Sequence, residues 1–395
     1  MSDELLIVAV EASADLHGAA VLRELRALRP GLRAFGAGGP LLRAGGCETL
    51  VRAEDLSVMG IAEVLPALPR IFRALRTLRR AAEERRPRGA LLIDSPDFNL
   101  RMARKLCRLG IPVAYFIGPS VWAWRTWRVR QIARDVARML VILPFEAEFY
   151  ARHGVNAVYV GNPLADGFRR LLTPSTSPST SSSTSTSPPT SRDLRRRLGL
   201  HPDHPLLALL PGSRRQEVRR IWPALLAAAR LLRQRIPEIQ LVVPVAPTVQ
   251  RDWLRTDFPV TFVEGRAPEV LAAADAAVVA SGTATLEAAL AQVPTVVVYR
   301  LSWLSWIVAR LLVRVPFASL VNLLAGRRLV PELLQGDCTG PRIAQSAAPL
   351  LAAGQAREAQ LEGMRGIRAG LAPAGSPGAA RRAAEEVAAL LGGPR

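Results

Sequence analysis

Residues 276 to 290 read A-A-V-V-A-S-G-T-A-T-L-E-A-A-L. Val278 and Val279 belong to a short apolar run suited to a buried strand, and the run stops at Ser281-Gly282-Thr283. Strong helix formers follow at once, Glu287 among them. The stretch therefore predicts a strand, a tight glycine turn and a helix in succession, the unit from which α/β sheets are wound. The first N–H groups of such a helix have no intrahelical acceptor. With the positive end of the helix dipole they suit a phosphate. Glu287 adds a carboxylate able to accept hydrogen bonds from ribose hydroxyls. A capped helix after a strand is also common architecture, so this stretch alone fits either a nucleotide diphosphate site or a structural turn.

The same alternation extends outward in both directions. Residues 206–210, 239–243, 260–263 and 295–299 read as further strands, with helices at 222–235 and 285–291. Earlier in the chain, 5–10, 90–94, 113–116 and 139–143 read as strands, with helices near 16–28 and 100–109. Between the two series, residues 173–191 contain only Ser, Thr and Pro, which cannot bury a core. The pattern predicts an α/β protein with two doubly wound parallel-sheet, Rossmann-like domains facing a cleft. The expected layout is a first domain over 1–168, a linker or insertion over 169–200 and a second domain over 201–350. Alanine-rich helices over 351–395 are expected to pack back on the first domain or on a partner subunit. Ligands of such sheets bind at the carboxyl ends of the strands.

Composition narrows the function classes. The formal charge of +19 favours an anionic partner: nucleic acid, a membrane surface or an acidic substrate. Lys105 is the single lysine, so arginine replaces lysine throughout and its identity at any one position carries little information. Cys47, Cys107 and Cys338 are far apart and give no disulfide or zinc framework; His17, His153, His201 and His204 give no metal-ligand spacing. No metal site is expected. Asp3 and Glu4 stand where a signal peptide has basic residues, and the apolar run 5–10 is too short for one, so a cytosolic chain is expected. No aromatic RNA-reading motif is present, and no nucleic-acid partner is expected.

Several strand ends carry chemistry. L-L-P-G-S-R-R (209–215) ends a strand in Pro211-Gly212-Ser213 and then presents arginine, whose planar fork suits a diphosphate. Together with Ser281–Glu287 it makes a two-sided clamp on a nucleotide diphosphate. L-L-I-D-S-P-D-F-N (91–99) ends a strand with Asp94 and Asp97. Asp94 is the candidate general base for an alcohol, whereas Asp97 reads as the cap of the next helix. After the first strand come Glu11 and Asp15, of which Asp15 fits a helix cap and Glu11 is the stronger site candidate; His17 is a rival base or a structural histidine. Residues 58–80 form an amphipathic run with a basic face, fit for an anionic bilayer or for packing on their own sheet. Residues 301–313 are too short, and too interrupted by Arg310, to span a membrane; Trp303 and Trp306 suit an interface or a core.

Eight segments in order resemble the lipid-A-disaccharide synthase family, inverting glycosyltransferases of the GT-B type. They are E-A-S-A-D (11–15), V-M-G-I-A-E-V-L (58–65), I-D-S-P-D-F-N (93–99), P-S-V-W-A-W (119–124), L-P-F-E (143–146), L-L-P-G-S-R (209–214), A-S-G-T-A-T-L-E (280–287) and N-L-L-A-G-R (322–327). The resemblance implies UDP-2,3-diacylglucosamine as donor and 2,3-diacylglucosamine 1-phosphate (lipid X) as acceptor. It implies a β-1,6-linked disaccharide, release of UDP, and no metal or other cofactor. By motif it makes Asp94 the general base and Arg214, Ser281, Gly282, Thr283 and Glu287 the UDP-binding set. Glu11 and Asn322 join the active site. Ala62, Val64, Leu65, Leu68, Ile71 and Phe72 become an acyl-chain and membrane patch. It also implies a cytoplasmic protein held peripherally on inner-membrane phospholipids, and is compatible with a homodimer. Val10 and Ala14 stand where the family usually has glycine, implying a stiffer first loop; Val321 replaces a common proline; and 173–191 has no family counterpart. Two other readings share parts of the pattern: an isomerase resembling UDP-N-acetylglucosamine 2-epimerase, and a non-catalytic basic protein that binds membrane.

Overall fold

A computed structural model describes residues 3–56, 61–124, 126–172, 189–313, 315–373 and 375–392, with backbone alone at 61–67, 172 and 304. The chain forms two units, Met1–Pro163 with Ala374–Arg395, and Leu164–Pro373. Most of the Ser/Thr/Pro tract, 173–188, lies outside the described residues.

The first unit holds seven strands: β1 Glu4–Val8, β2 Arg33–Gly38, β3 Glu48–Arg52, β4 Gly89–Ile93, β5 Val113–Phe116, β6 Arg138–Val141 and β7 Ala157–Tyr159. All pair in parallel in the order β3-β2-β1-β4-β5-β6-β7. Because side chains alternate along a strand, one run serves two cores. Leu6 and Val8 meet Leu75 and Leu78 of the Ile61–Arg85 helix and Met102 and Leu106 of the Pro96–Arg108 helix. Leu5 and Ile7 face the other way, onto Val21, Leu22 and Leu25 of the Ala12–Leu28 helix and Val387 and Leu391 of the Ala379–Gly392 helix. Burial on both faces explains why these strands read as unbroken apolar runs.

The second unit repeats the plan with β8 Leu206–Leu210, β9 Gln240–Val245, β10 Thr261–Glu264, β11 Ala276–Ala280, β12 Thr295–Tyr299 and β13 Glu332–Leu334, all parallel in the order β10-β9-β8-β11-β12-β13. Leu207, Leu209 and Val278 pack on Val218, Trp222 and Leu225 of the Arg215–Arg235 helix. Leu206, Ala208 and Val279 pack on Val270 and Leu271 of the Ala267–Ala273 helix. In each sheet the winding direction reverses once, between β1 and β4 and between β8 and β11. Ligands of open α/β sheets bind at such reversals.

Several sequence-based boundaries need correction. The 169–200 segment is not all linker. Helix Ser191–Arg197 lies in the second unit, capped by a Thr190–Asp193 capping box and anchored by buried Leu194. The 351–395 segment divides: helix Gln355–Leu371 packs on the Thr283–Leu290 helix of its own unit, and Ala379–Gly392 packs along Ala12–Leu28 in the first. The helix expected from Trp222 begins at Arg215 and runs through Pro223. Its true start is set by Glu217, which accepts the first amides, so Pro223 lies inside the helix instead of opening it. Asp97 does not cap its helix either. Ser95 holds the cap position, Pro96 follows, and the exposed Asp97 carboxylate pairs with Arg128 at 2.7 Å.

Candidate functional site

In the first unit the reversal brings together the ends of β1 and β4, which carry Glu11 and Asp94. Ser95 Oγ donates to Glu11 Oε1 at 2.7 Å and so ties the two loops. Asp94 and Ser95 both adopt left-handed backbone, with φ of 51° and 45°. Such conformations cost non-glycine residues about 1–3 kcal/mol each and persist only where surroundings impose them. Here the Tyr115 hydroxyl donates to the Asp94 carbonyl at 2.7 Å and Asn99 Nδ2 donates to it at 2.8 Å. Asn99 Nδ2 also reaches the Ile93 carbonyl at 2.9 Å, and the Asp94 amide donates to Phe116 at 3.0 Å. Tyr115 and Asn99 are fully buried, so the turn rests on fixed partners.

The Asp94 carboxyl itself is half-buried. Burial raises its pKa, the Glu11 charge raises it further, and the Ser95 amide opposes both. A carboxylate made more basic while reaching solvent suits proton abstraction. His17, the rival base, sits edge-on to Phe116 with ring centroids 6.3 Å apart, and burial lowers its pKa. Asp15 is buried and accepts the amides of Gly39, Leu41 and Leu42 at 2.8, 2.9 and 3.1 Å. It caps the Pro40–Ala44 helix, a neighbour's start and not its own. Val10 and Ala14 are buried with ordinary backbone, so neither position needs a glycine's conformational range.

Sequence reasoning gave no role to Glu146, which the structure places in the first turn of the Pro144–Ala151 helix that follows β6. It is buried, accepts Trp122 Nε1 at 3.0 Å and the amides of Leu143 and Ile142, and burial lifts its carboxyl to about 7. It joins the 119–124 and 143–146 motifs into one support, from which Trp124 and Trp127 project, 44% and 67% exposed.

In the second unit the ends of β8 and β11 open into a cavity of about 740 Å3, within the range of small-molecule sites. Arg214, Ser281, Gly282, Thr283 and Glu287 all line it, together with Tyr299, Ala246 and Pro247, which sequence reasoning missed. The two helix starts there differ. Gly212 (φ 107°) turns the β8 loop, and Glu217 folds back to accept the amides of Ser213 and Arg214 at 3.2 and 3.3 Å. A Cβ on Gly212 would lie 2.7 Å from Glu217 Oε2. An internal carboxylate thus already occupies this start, and the Arg214 guanidinium, 82% exposed and 3.4 Å from Glu217, is the cation in the cavity lining. The Thr283–Leu290 helix instead has no side-chain cap; Gly282 precedes it with φ of 148° and open space where a Cβ would be. Its first-turn amides face the cavity without a competing carboxylate. The Ser281 hydroxyl donates to the Ala318 carbonyl at 2.7 Å, which leaves it acceptor capacity only. The Glu287 carboxylate makes no side-chain hydrogen bond among the described residues, and burial raises its pKa.

Asn322 lies outside this cavity's lining. It is fully buried, accepts the amides of Leu329 and Val330 at 2.8 and 2.9 Å, and donates to Val330 O and Glu332. Glu332 in turn binds the amides of Ala318 and Ser319. Asn322 therefore supports the Ala318 wall through Glu332. Of the proposed acyl patch, Ala62, Val64 and Leu65 lie outside the residues whose side chains are described. Leu68 and Ile71 are half-buried, Ile71 against the first core, and Phe72 is 51% exposed. Among the described residues no helix is long and apolar enough to cross a membrane. Nor does any group of three metal-ligating side chains occur among them.

Comparison with known proteins adds a family. The profile of the family described as lipid-A-disaccharide synthetase matches residues 5–374. The lipid-A-disaccharide synthase of Anaeromyxobacter sp. (strain K) is 51% identical over 99% of this chain and 98% of its own. Among solved structures, the calicheamicin glycosyltransferase CalG4 superposes with a TM-score of 0.57 at 19% identity, over 99% of this chain and 98% of that one. The UDP-GlcNAc 2-epimerase of Neisseria meningitidis gives 0.63 at 11%, over 98% of each. These likenesses establish the GT-B architecture. At such low identity the epimerase shares the fold alone, whereas half the residues are shared with the synthase.

Proposed function

The chain belongs to the lipid-A-disaccharide synthase family, and we propose that it transfers 2,3-diacylglucosamine from UDP-2,3-diacylglucosamine to the 6-hydroxyl of lipid X. It is a hexosyltransferase of lipid A disaccharide synthesis. On this reading Asp94 takes the proton from the acceptor hydroxyl. The freed oxygen forms a bond to the anomeric carbon from the face opposite the diphosphate, the bond from that carbon to the diphosphate oxygen breaks, and UDP departs. The product is the β-1,6-linked disaccharide 1-phosphate.

The observation that carries this reading is Asp94: a carboxylate of raised basicity on a strained turn at the sheet reversal. The second unit supplies the departure of UDP. The open amides at Thr283 carry the positive end of a helix dipole, worth about 0.3–1 kcal/mol when exposed and up to ~2 when partly buried. Arg214 adds a full charge able to bind two oxygens at once. These groups meet the negative charge that develops on the leaving diphosphate, so the reading calls for no metal ion or other cofactor. Glu287 would accept the ribose hydroxyls. The lipid substrates place the enzyme at the cytoplasmic face of the inner membrane, with the patch from Ala62 to Phe72 toward the acyl chains.

The test is Asp94→Ala. UDP binding measured by calorimetry stays at the wild-type value, while acceptor-dependent UDP release falls by roughly 10²–10⁴-fold, the usual contribution of a general base. Normal turnover in this variant would remove Asp94 from the mechanism. UDP release or epimerised sugar without acceptor would favour the isomerase.

A further inference from the structure

The Trp303–Leu312 helix presents an apolar face to solvent that no fold requirement explains. Ser302 caps it by accepting the Ser305 amide at 3.2 Å, so the helix is defined by its own sequence. Trp303, Ile307 and Leu311 recur at every fourth position and therefore share one stripe. They are 74%, 46% and 77% exposed, with Val308 and Leu312 beside them at 47% each. Soluble surfaces scatter large apolar residues singly; five on one short helix mark an interaction face.

Two further observations say what covers it. From Ala288 to Pro331 the sequence contains no Asp or Glu but five arginines: Arg300, Arg310, Arg314, Arg327 and Arg328. Apolar residues with tryptophan at one end, on a stretch of sequence that carries arginine and no acidic residue, match the depth profile of an anionic bilayer surface. The segment also leaves from and returns to the nucleotide cavity: Tyr299 and Ala318, which bracket it, both line that cavity. The apolar helix is therefore an excursion from the cavity rim.

We propose that the Trp303–Leu312 helix is a second membrane contact, lying in the headgroup region of an anionic bilayer and holding the rim of the nucleotide cavity at the lipid surface. The inference rests on the functional reading above for why that is useful: the donor's acyl chains stay in the bilayer while its nucleotide enters the cavity. It is separate from the patch on the Ile61–Arg85 helix, which belongs to the other unit.

A fluorophore reports the contact directly. With exposed Cys107 changed to serine, Cys47 and Cys338 remain buried, and Leu311→Cys provides one accessible labelling site. Gln234→Cys, exposed near the far end of the Arg215–Arg235 helix and so at the opposite edge of the sheet, is the control. With phosphatidylethanolamine–phosphatidylglycerol vesicles, the probe at 311 shifts to the blue and is quenched by spin-labelled lipid, while the probe at 234 does neither. Phosphatidylcholine vesicles give a much weaker response. The unlabelled double variant Trp303→Ser/Leu311→Ser loses roughly tenfold or more in vesicle affinity, since it withdraws two large apolar side chains from the bilayer. Its UDP affinity is unchanged, which shows that the second unit still folds.

Three results would overturn the proposal: no vesicle binding, vesicle-bound protein whose 311 probe stays aqueous, or a 311 probe already dry in a vesicle-free dimer, which would make a second copy the occupant. The functional reading fails separately, through absent UDP binding or absent UDP release with both lipids in detergent micelles.

Discussion

Asn99→Ala tests whether the Asp94 turn is held under strain. Asn99 supplies two of the hydrogen bonds at this turn, to Ile93 O at 2.9 Å and Asp94 O at 2.8 Å. Each is worth about 0.5–1.5 kcal/mol net. The alanine also removes the Asn99 Oδ1, which is buried without a partner, so part of the loss is returned. A destabilisation of about 2 kcal/mol follows. Left-handed Asp94 and Ser95 together store about 2–6 kcal/mol. With Asn99 gone, the Tyr115 hydroxyl and the Asp94 amide remain to hold that strain. The turn then relaxes and the carboxylate leaves its position. Turnover should fall much more than stability, toward but not below the Asp94→Ala level, while UDP binding in the other unit is unchanged. Chemical denaturation, UDP calorimetry and acceptor-dependent UDP release measure the three quantities. Asn99→Ala combined with Tyr115→Phe should be strongly non-additive, because both act on one carbonyl. Wild-type turnover in Asn99→Ala together with a 2 kcal/mol loss of stability would refute the reasoning: the bonds would matter to the fold and not to the base.

Other outcomes follow from the same geometry. Gly282→Ala finds open space for its methyl but must hold φ near 148°, so UDP affinity falls about tenfold or more through distortion of the helix start, with little change in overall stability. Calorimetry with UDP decides it. Glu11→Gln keeps an acceptor for Ser95 Oγ but removes a charge that raises the Asp94 pKa. Asp94 must be ionised to act, so the acid limb of the pH–turnover profile moves to lower pH; an unmoved limb would sever the coupling. EDTA should leave UDP release unchanged. A loss restored by added magnesium would show that Arg214 and the Thr283 helix start are insufficient for the leaving group.

The sequence exposed the central strands and the chemistry at their ends because both follow from local pattern. β1, β4, β8 and β11 lie in sheet interiors, where burial on two faces forces apolar runs, and the polar residues that follow those runs, Glu11, Asp94, Ser213 and Ser281, stand out against them. β2, β3, β7 and β13 escaped notice. β2 reads R-A-F-G-A-G with glycines where β-branched residues are expected, β3 is an edge strand with no buried side chain, and β7 and β13 are three-residue edge strands with half-buried side chains. What the sequence hid in the site was tertiary. Asp15 reads as the cap of its own helix yet caps one 24 to 27 residues on, and Asn322 spends its side chain on the turn at Leu329 and Val330 and on Glu332. Glu217 could have been found, since a carboxylate three residues after a helix start is a capping pattern. That it takes up the Ser213 and Arg214 amides follows only from the fold of the loop. The exposure of Trp303 and Leu311 likewise depends on what the rest of the unit leaves uncovered.

The assignment of the Ala379–Gly392 helix to the first unit has a consequence for the order in which the protein is made. Val21, Leu22 and Leu25 of the Ala12–Leu28 helix are buried against Ala383, Val387 and Leu391, residues separated from them by more than the whole length of the second unit. During synthesis the first unit therefore emerges with one face of its sheet incompletely covered. The second unit, encoded later, has all its residues by Pro373 and can close its cores first. Until the Ala379–Gly392 helix is released, an apolar strip along Ala12–Leu28 stays open to chaperones and to other nascent chains, and a chain interrupted before that helix would carry a complete second unit attached to an incomplete first one.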